Sequence, residues 1–216
     1  MSDLSKRILT SIIIFPLSIF FIFKGGYLLL LFLFAVFVVA NYELFLVFNK
    51  KIIILCLDLV LILSLFSVYY LRESGEASFK LLIWVIILCV CSDIGGYVIG
   101  KTFKWKKITE ISPNKTLSGV LGSFLFSLFS LFIVENFSFT SSTFIQFLEP
   151  KFFFLAIIFS LVAQVGDLTI SFFKRLEEVK DTGSILPGHG GIFDRIDGLM
   201  FVVILALLLI KFNIIP

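Results

Sequence analysis

Four aspartates, Asp93, Asp167, Asp194 and Asp197, stand within or against the apolar runs of a chain that is 59% hydrophobic. An acidic side chain in a membrane span costs about 2.5–3.5 kcal/mol on insertion scales, so each is a candidate functional group by position alone. At a helical rise of 1.5 Å per residue, Asp93 and Asp167 fall shortly before two apolar runs end, and Asp194 and Asp197 where the last run begins. All four are expected within roughly 10 Å of one plane. Asp167, Ser171 and Lys174 recur at i, i+4 and i+7, and Asp194 and Asp197 at i and i+3, so each set shares one helix face. Gly95 and Gly96, in "SDIGGY", permit close helix approach beside Asp93. Gathered carboxylates repel one another unless a cation neutralises them, and hard oxygen donors suit Mg²⁺, which commonly takes one or two carboxylates plus substrate phosphates. That makes Asp93, Asp167, Asp194 and Asp197 the candidate metal ligands. Structural ion pairs of Asp167 and Asp194 with Arg175 and Arg195 are the alternative. Two further acids, Asp58 and Glu43, read as structural, Glu43 as a packing or helix-positioning residue.

The segment "LPGHGGIFDRIDG", Leu186 to Gly198, adds three glycines and the only histidine of the chain. Pro187 stops a helix, while Gly188, Gly190 and Gly191 allow backbone N–H groups to turn toward an anion. Taken alone, these glycines describe an ordinary turn. Lys174, Arg175, Lys180 and Arg195 flank them, and "SPNKT" in another loop supplies Lys115. Cationic donors, flexible amides and metal-binding acids together describe a polyphosphate site. His189 is a candidate phosphate donor or proton-transfer group, with a structural hydrogen bond as the alternative. Lys101, Lys104, Lys106 and Lys107, with Trp105 among them, are suited to anionic lipid headgroups.

The elements that position these groups follow from composition. The 216 residues have a mean hydropathy of +1.12, 29 phenylalanines and 15% charged residues, which excludes an ordinary soluble globular domain. A net charge of +3 without a basic face excludes nucleic-acid recognition. The fold class is all-α: a polytopic helical membrane protein with about seven spans, near 8–23, 27–48, 52–71, 80–99, 117–134, 152–170 and 197–213. Gly25-Gly26 makes the first connection tight. Thirteen of the 18 Lys and Arg residues fall on the N-terminal side of the membrane, which predicts a cytoplasmic N-terminus. Cys56, Cys89 and Cys91 lie in apolar runs at no zinc-like spacing with the histidine. The first run has no small-residue cleavage site and reads as a retained helix. No internal repeat is evident, and the polar groups crowd one face. That favours an enzyme over a transporter or flippase.

Ser171, Lys174-Arg175, Lys180-Asp181, Pro187, His189-Gly190-Gly191, Asp194-Arg195 and Asp197 together resemble the signature of the phosphatidate cytidylyltransferases, or CDP-diacylglycerol synthases. "QVGDLTIS", "SDIGGYVIGKTF", "ISPNKT", "KRILTSIIIFP" and "NYELF" also resemble family segments. The chain departs from many members in having Leu117 and Ser118 where tryptophan and glutamate often follow "KT", and fewer spans in its first half. The resemblance implies one membrane-embedded domain over 1–216, with the catalytic half at about 80–216. It implies transfer of a cytidylyl group from CTP to phosphatidic acid with release of pyrophosphate, dependent on Mg²⁺. It further implies a homodimer in a bacterial inner membrane, with the site facing the cytoplasm. On this resemblance the catalytic set is Asp167, Lys174, Arg175, Lys180, Asp181, His189, Asp194, Arg195 and Asp197. Lys115, Ser171, Gly190 and Gly191 join them in binding substrate. A CTP-dependent polyprenol or phytol kinase, and a cytidylyltransferase for another lipid phosphate, are the nearest rivals.

Overall fold

The computed structural model describes residues 3–109, 112, 115–136, 146–179, 181–183, 185 and 190–215, with side chains from Ile13 onward. Among the described residues there are seven helices: α1 (Asp3–Lys24), α2 (Gly26–Val47), α3 (Lys51–Glu73), α4 (Glu76–Phe103), α5 (Leu117–Asn136), α6 (Pro150–Leu176) and α7 (Phe193–Lys211). An isolated antiparallel bridge joins Lys107 and Thr116. Helices are what such a composition demands, because a backbone in hydrocarbon must satisfy its own N–H and C=O groups. Helices α2 to α6 are long and apolar enough to cross a membrane. Large apolar side chains such as Phe34, Phe45, Leu55 and Phe154 point outward, as a lipid-facing surface requires. The chain is an integral membrane protein.

Lipid tails are as apolar as leucine, so helices in a bilayer associate by close packing and interhelical hydrogen bonds rather than by the hydrophobic effect. The seam between α4 and α5 shows this directly. A Cβ added at Gly95 would fall on the Gly122 carbonyl oxygen, and one at Gly100 would lie 3.3 Å from Gly119 Cα. Both Gly95 and Gly96 face α5, as the sequence predicts. Between α6 and α7, a Cβ at Gly198 would lie 2.9 Å from the Ala163 carbonyl oxygen. Away from these seams Trp84, Phe147, Phe152 and Phe159 interlock at ring-centroid distances of 5.1–5.6 Å, with Trp84 Nε1 donating to Ser130 Oγ at 3.0 Å. A second cluster, including Leu44, Leu57, Ile170, Phe193 and Met200, joins α2 and α3 to α6 and α7.

Near the polar residues the helices extend beyond the apolar runs. α4 continues to Phe103, α6 continues to Leu176, and α7 begins at Phe193. Hydropathy marks where lipid contact ends, whereas a helix runs on while its hydrogen bonds and end charges are favourable. Lys174 and Arg175 sit in the last turn of α6, where cations complement the helix dipole. Ser171, Lys174 and Asp194 are thus held on helices, as their shared helix faces predict. The connection from α4 to α5 is pinned by Ile108 N–H donating to Lys115 O and Leu117 N–H to Lys106 O. Thr116 Oγ1 then caps α5 by accepting the Gly119 N–H at 3.2 Å.

Candidate active site

Lys115 leaves the bridged loop and reaches α6. Its Nζ lies 2.6 Å from Asp167 Oδ2 and donates to the Gln164 carbonyl at 3.3 Å. From the other side Ser171 Oγ donates to Asp167 Oδ1 at 3.3 Å, one helical turn away as the spacing predicts. Asp167 is therefore oriented yet still 38% exposed. Asp93 on α4 and Asp197 on α7 lie close enough for their charges to act on Asp167 and on each other, with Lys115 and Arg195 acting on Asp93 and Lys174 on Asp197. Beneath this trio a ladder of hydroxyls holds the helices in register. Ser92 and Ser160 share a 2.8 Å hydrogen bond between α4 and α6, and Ser123 Oγ of α5 donates to the Ser92 carbonyl at 2.9 Å.

A second ion pair lies nearby and is closed. Lys174 Nζ donates to Asp194 Oδ1 at 2.8 Å, with side chains only 10% and 6% exposed. Asp194 Oδ2 accepts the N–H groups of Thr182 at 2.8 Å and Gly191 at 3.1 Å. Asp194 precedes the apolar run of α7. Burial opposes its ionisation, but the Lys174 ammonium and the two backbone donors prevail and hold its carboxyl below the ordinary carboxylate range. Gly190 takes a φ of 84°, the left-handed conformation expected of this turn, and a Cβ there would lie 3.0 Å from Asp194 Oδ2 and 3.5 Å from Asp181 Cβ.

Glu43 of α2 completes the clasp. It is 1% exposed and accepts the N–H groups of Ile192 at 3.0 Å and Phe193 at 3.1 Å, so it holds the start of α7. Three successive backbone donors, those of Gly191, Ile192 and Phe193, thus bind the protein's own carboxylates. Of the glycine amides that the sequence turned toward an anion, that of Gly191 meets the carboxylate of Asp194.

The structure joins Lys115 and Ser171 to Asp167, with the charges of Asp93 and Asp197 acting on Asp167 from α4 and α7, and it joins Lys174 and Gly191 to Asp194. Asp181 is exposed and flanks Gly190, and Arg175 turns to its own loop, donating to the Val179 carbonyl at 3.0 Å. Lys180, Pro187, Gly188 and His189 lie outside the described residues. The acids pair with Lys115 and Lys174, where the sequence offered Arg175 and Arg195, because helix packing rather than proximity in the chain selects the partner. Among the described residues no three Asp, Glu, Cys or His side chains are grouped closely enough to hold a metal ion by themselves. Of the four aspartates Asp194 is set apart, its oxygens engaged by Lys174, Thr182 and Gly191. Asp93, Asp167 and Asp197 still fit Mg²⁺ in donor chemistry, since that ion needs few carboxylates when phosphates and water complete its shell. Sequence reasoning missed Thr182 and the Ser92–Ser160–Ser123 ladder; hydroxyls placed inside apolar spans were the available signal for the ladder.

The described site thus holds two lysine–aspartate pairs on the helices of an integral membrane protein. The model of the Cytidylyltransferase family matches residues 47–213. Similar curated proteins include the phosphatidate cytidylyltransferase of Helicobacter pylori, 38% identical over 139 residues, which covers 64% of this chain and 48% of the relative. That of Staphylococcus saprophyticus is 37% identical over 145 residues, 66% and 54% of the two chains. That of Rickettsia conorii is 35% identical over 139 residues, 58% and 57%. The chain spans about half the length of these relatives. It belongs to the Cytidylyltransferase family.

Proposed function

We propose that the protein transfers a cytidylyl group from CTP to phosphatidic acid, giving CDP-diacylglycerol and pyrophosphate. The observation that supports this is the open Lys115–Asp167 pair, on which the charges of Asp93 and Asp197 act from two other helices. The names of the curated relatives supply the substrates. A phosphate oxygen of phosphatidic acid attacks the α-phosphorus of CTP; the new P–O bond forms as the bond to the β-phosphate breaks, and pyrophosphate leaves. The lipid phosphate is already ionised, so no covalent enzyme intermediate is needed. Mg²⁺, when bound, neutralises phosphate charge. Asp93, Asp167 and Asp197 would hold it. Lys115 orients Asp167 and exchanges this contact for a phosphate oxygen when substrate arrives, and Ser171 keeps the carboxylate aimed. Lys174 and Asp194 fix the turn between α6 and α7. The family resemblance implies that Arg175, Lys180, Asp181, Arg195 and His189-Gly190-Gly191 take part in binding the triphosphate or the lipid phosphate.

The bias of Lys and Arg places the N-terminus and the site on the cytoplasmic side of a bacterial inner membrane. CTP then enters from water while the lipid phosphate arrives at headgroup depth. The working unit is a homodimer. The deciding experiment is product analysis with purified protein in detergent. The expected result is pyrophosphate and CDP-diacylglycerol from CTP and phosphatidic acid, only with a divalent cation. Release of CDP with phosphorylation of a polyprenol, or no pyrophosphate with phosphatidic acid, would overturn the assignment.

A further inference from the structure

We propose that Glu43 is a positioning residue for the transfer site, acting from α2 and from outside the segment that matches the family model, a proposal that rests on the function proposed above. A helix begins with N–H groups that lack partners within the helix. α7 is preceded by Ile192, whose side chain cannot accept a hydrogen bond. The acceptor arrives instead from a residue 149 positions earlier, as a carboxylate that also complements the positive end of the helix dipole. A carboxylate at 1% exposure is costly to bury, so simple space-filling is better served by an apolar side chain.

The surroundings are shaped to this group. A Cβ at Gly183 would lie 3.0 Å from Glu43 Oε1, and one at Gly191 would lie 2.5 Å from Oε2. Glu43 and Asp194 between them hold three successive amides, so the first turn of α7 has one position while both are present. That turn carries Asp194, and Asp197 follows one turn on. Releasing Glu43 lets the start of α7 shift, and Asp197 moves relative to Asp93 and Asp167. Displacements near 1 Å cost about 100-fold in rate when reacting groups are misplaced.

The test compares Glu43→Ala and Glu43→Gln with the unaltered protein in detergent. The glutamine keeps the volume and one acceptor oxygen, which guards against a variant that fails to fold. Expected are a fall in kcat of about 100-fold for Glu43→Ala and about tenfold for Glu43→Gln, with KM for phosphatidic acid unchanged. In both variants amide exchange should quicken in residues 190–196 and stay as before in residues 199–207. An unaltered kcat, or a rise in exchange spread evenly along α7, overturns the proposal. If the unaltered protein itself releases no pyrophosphate, the cytidylyl-transfer reading fails. The exchange data still decide the role of Glu43, since unchanged exchange in 190–196 removes it and local loosening retains it.

Discussion

The Lys174–Asp194 and Lys115–Asp167 pairs are built from the same functional groups at similar distances, 2.8 and 2.6 Å. In the first pair the side chains are 10% and 6% exposed, and the carboxylate also binds two backbone amides. In the second they are 23% and 38% exposed, and the other carboxylate oxygen is met by a single hydroxyl. A closed, fully engaged pair is costly to break and has little capacity left for a ligand. An open pair contributes little to stability and is free to exchange partners. The difference suits the first pair to architecture and leaves the second open to a ligand.

The largest expected effect is on the closed pair. Asp194→Ala leaves Lys174 charged and buried and should lower stability by about 3–5 kcal/mol, read as thermal unfolding of purified protein in detergent. Asp197→Asn should lower kcat about 10²–10³-fold with an unfolding midpoint close to that of the unaltered protein. Near-normal turnover would remove Asp197 from the transfer site. Lys115→Ala should change stability by less than about 1 kcal/mol while slowing turnover, the reverse of the Asp194 pattern. A stability loss equal to that of Asp194→Ala would erase the distinction between the pairs. Smallest is Ser92→Ala, which removes one interhelical hydroxyl bond beneath the trio and should cost about 0.6 kcal/mol.

Acidity separates the two regions as well. The carboxyl of Asp194 titrates below its ordinary range, so its contribution is fully present above the unfolded-state value and is lost as pH falls through the lowered folded-state value. Acid unfolding followed by amide exchange should open residues 190–196 in that window. Asp194→Ala should abolish this step.

Most of the framework is legible in the amino-acid order. Seven apolar runs correspond to seven helices, and Gly95 with Gly96 marks the seam against α5. The i, i+4 relation of Asp167 and Ser171 appears as a hydrogen bond. Each is a local or periodic feature, written within a few turns of chain. The ends of α4, α6 and α7 lie beyond the apolar runs because hydropathy marks lipid contact and not the end of a helix.

The sequence by itself determined that this is a helical membrane protein with its acids and bases concentrated near the ends of particular spans, since backbone hydrogen bonding in lipid leaves no other fold for such runs. Only the tertiary structure decided which lysine meets which aspartate. It alone set Asp194 apart from Asp93, Asp167 and Asp197, and sent Glu43 across to the start of α7. Those choices depend on how closely the helices approach at their glycine and serine seams, a through-space property that no spacing along the chain encodes.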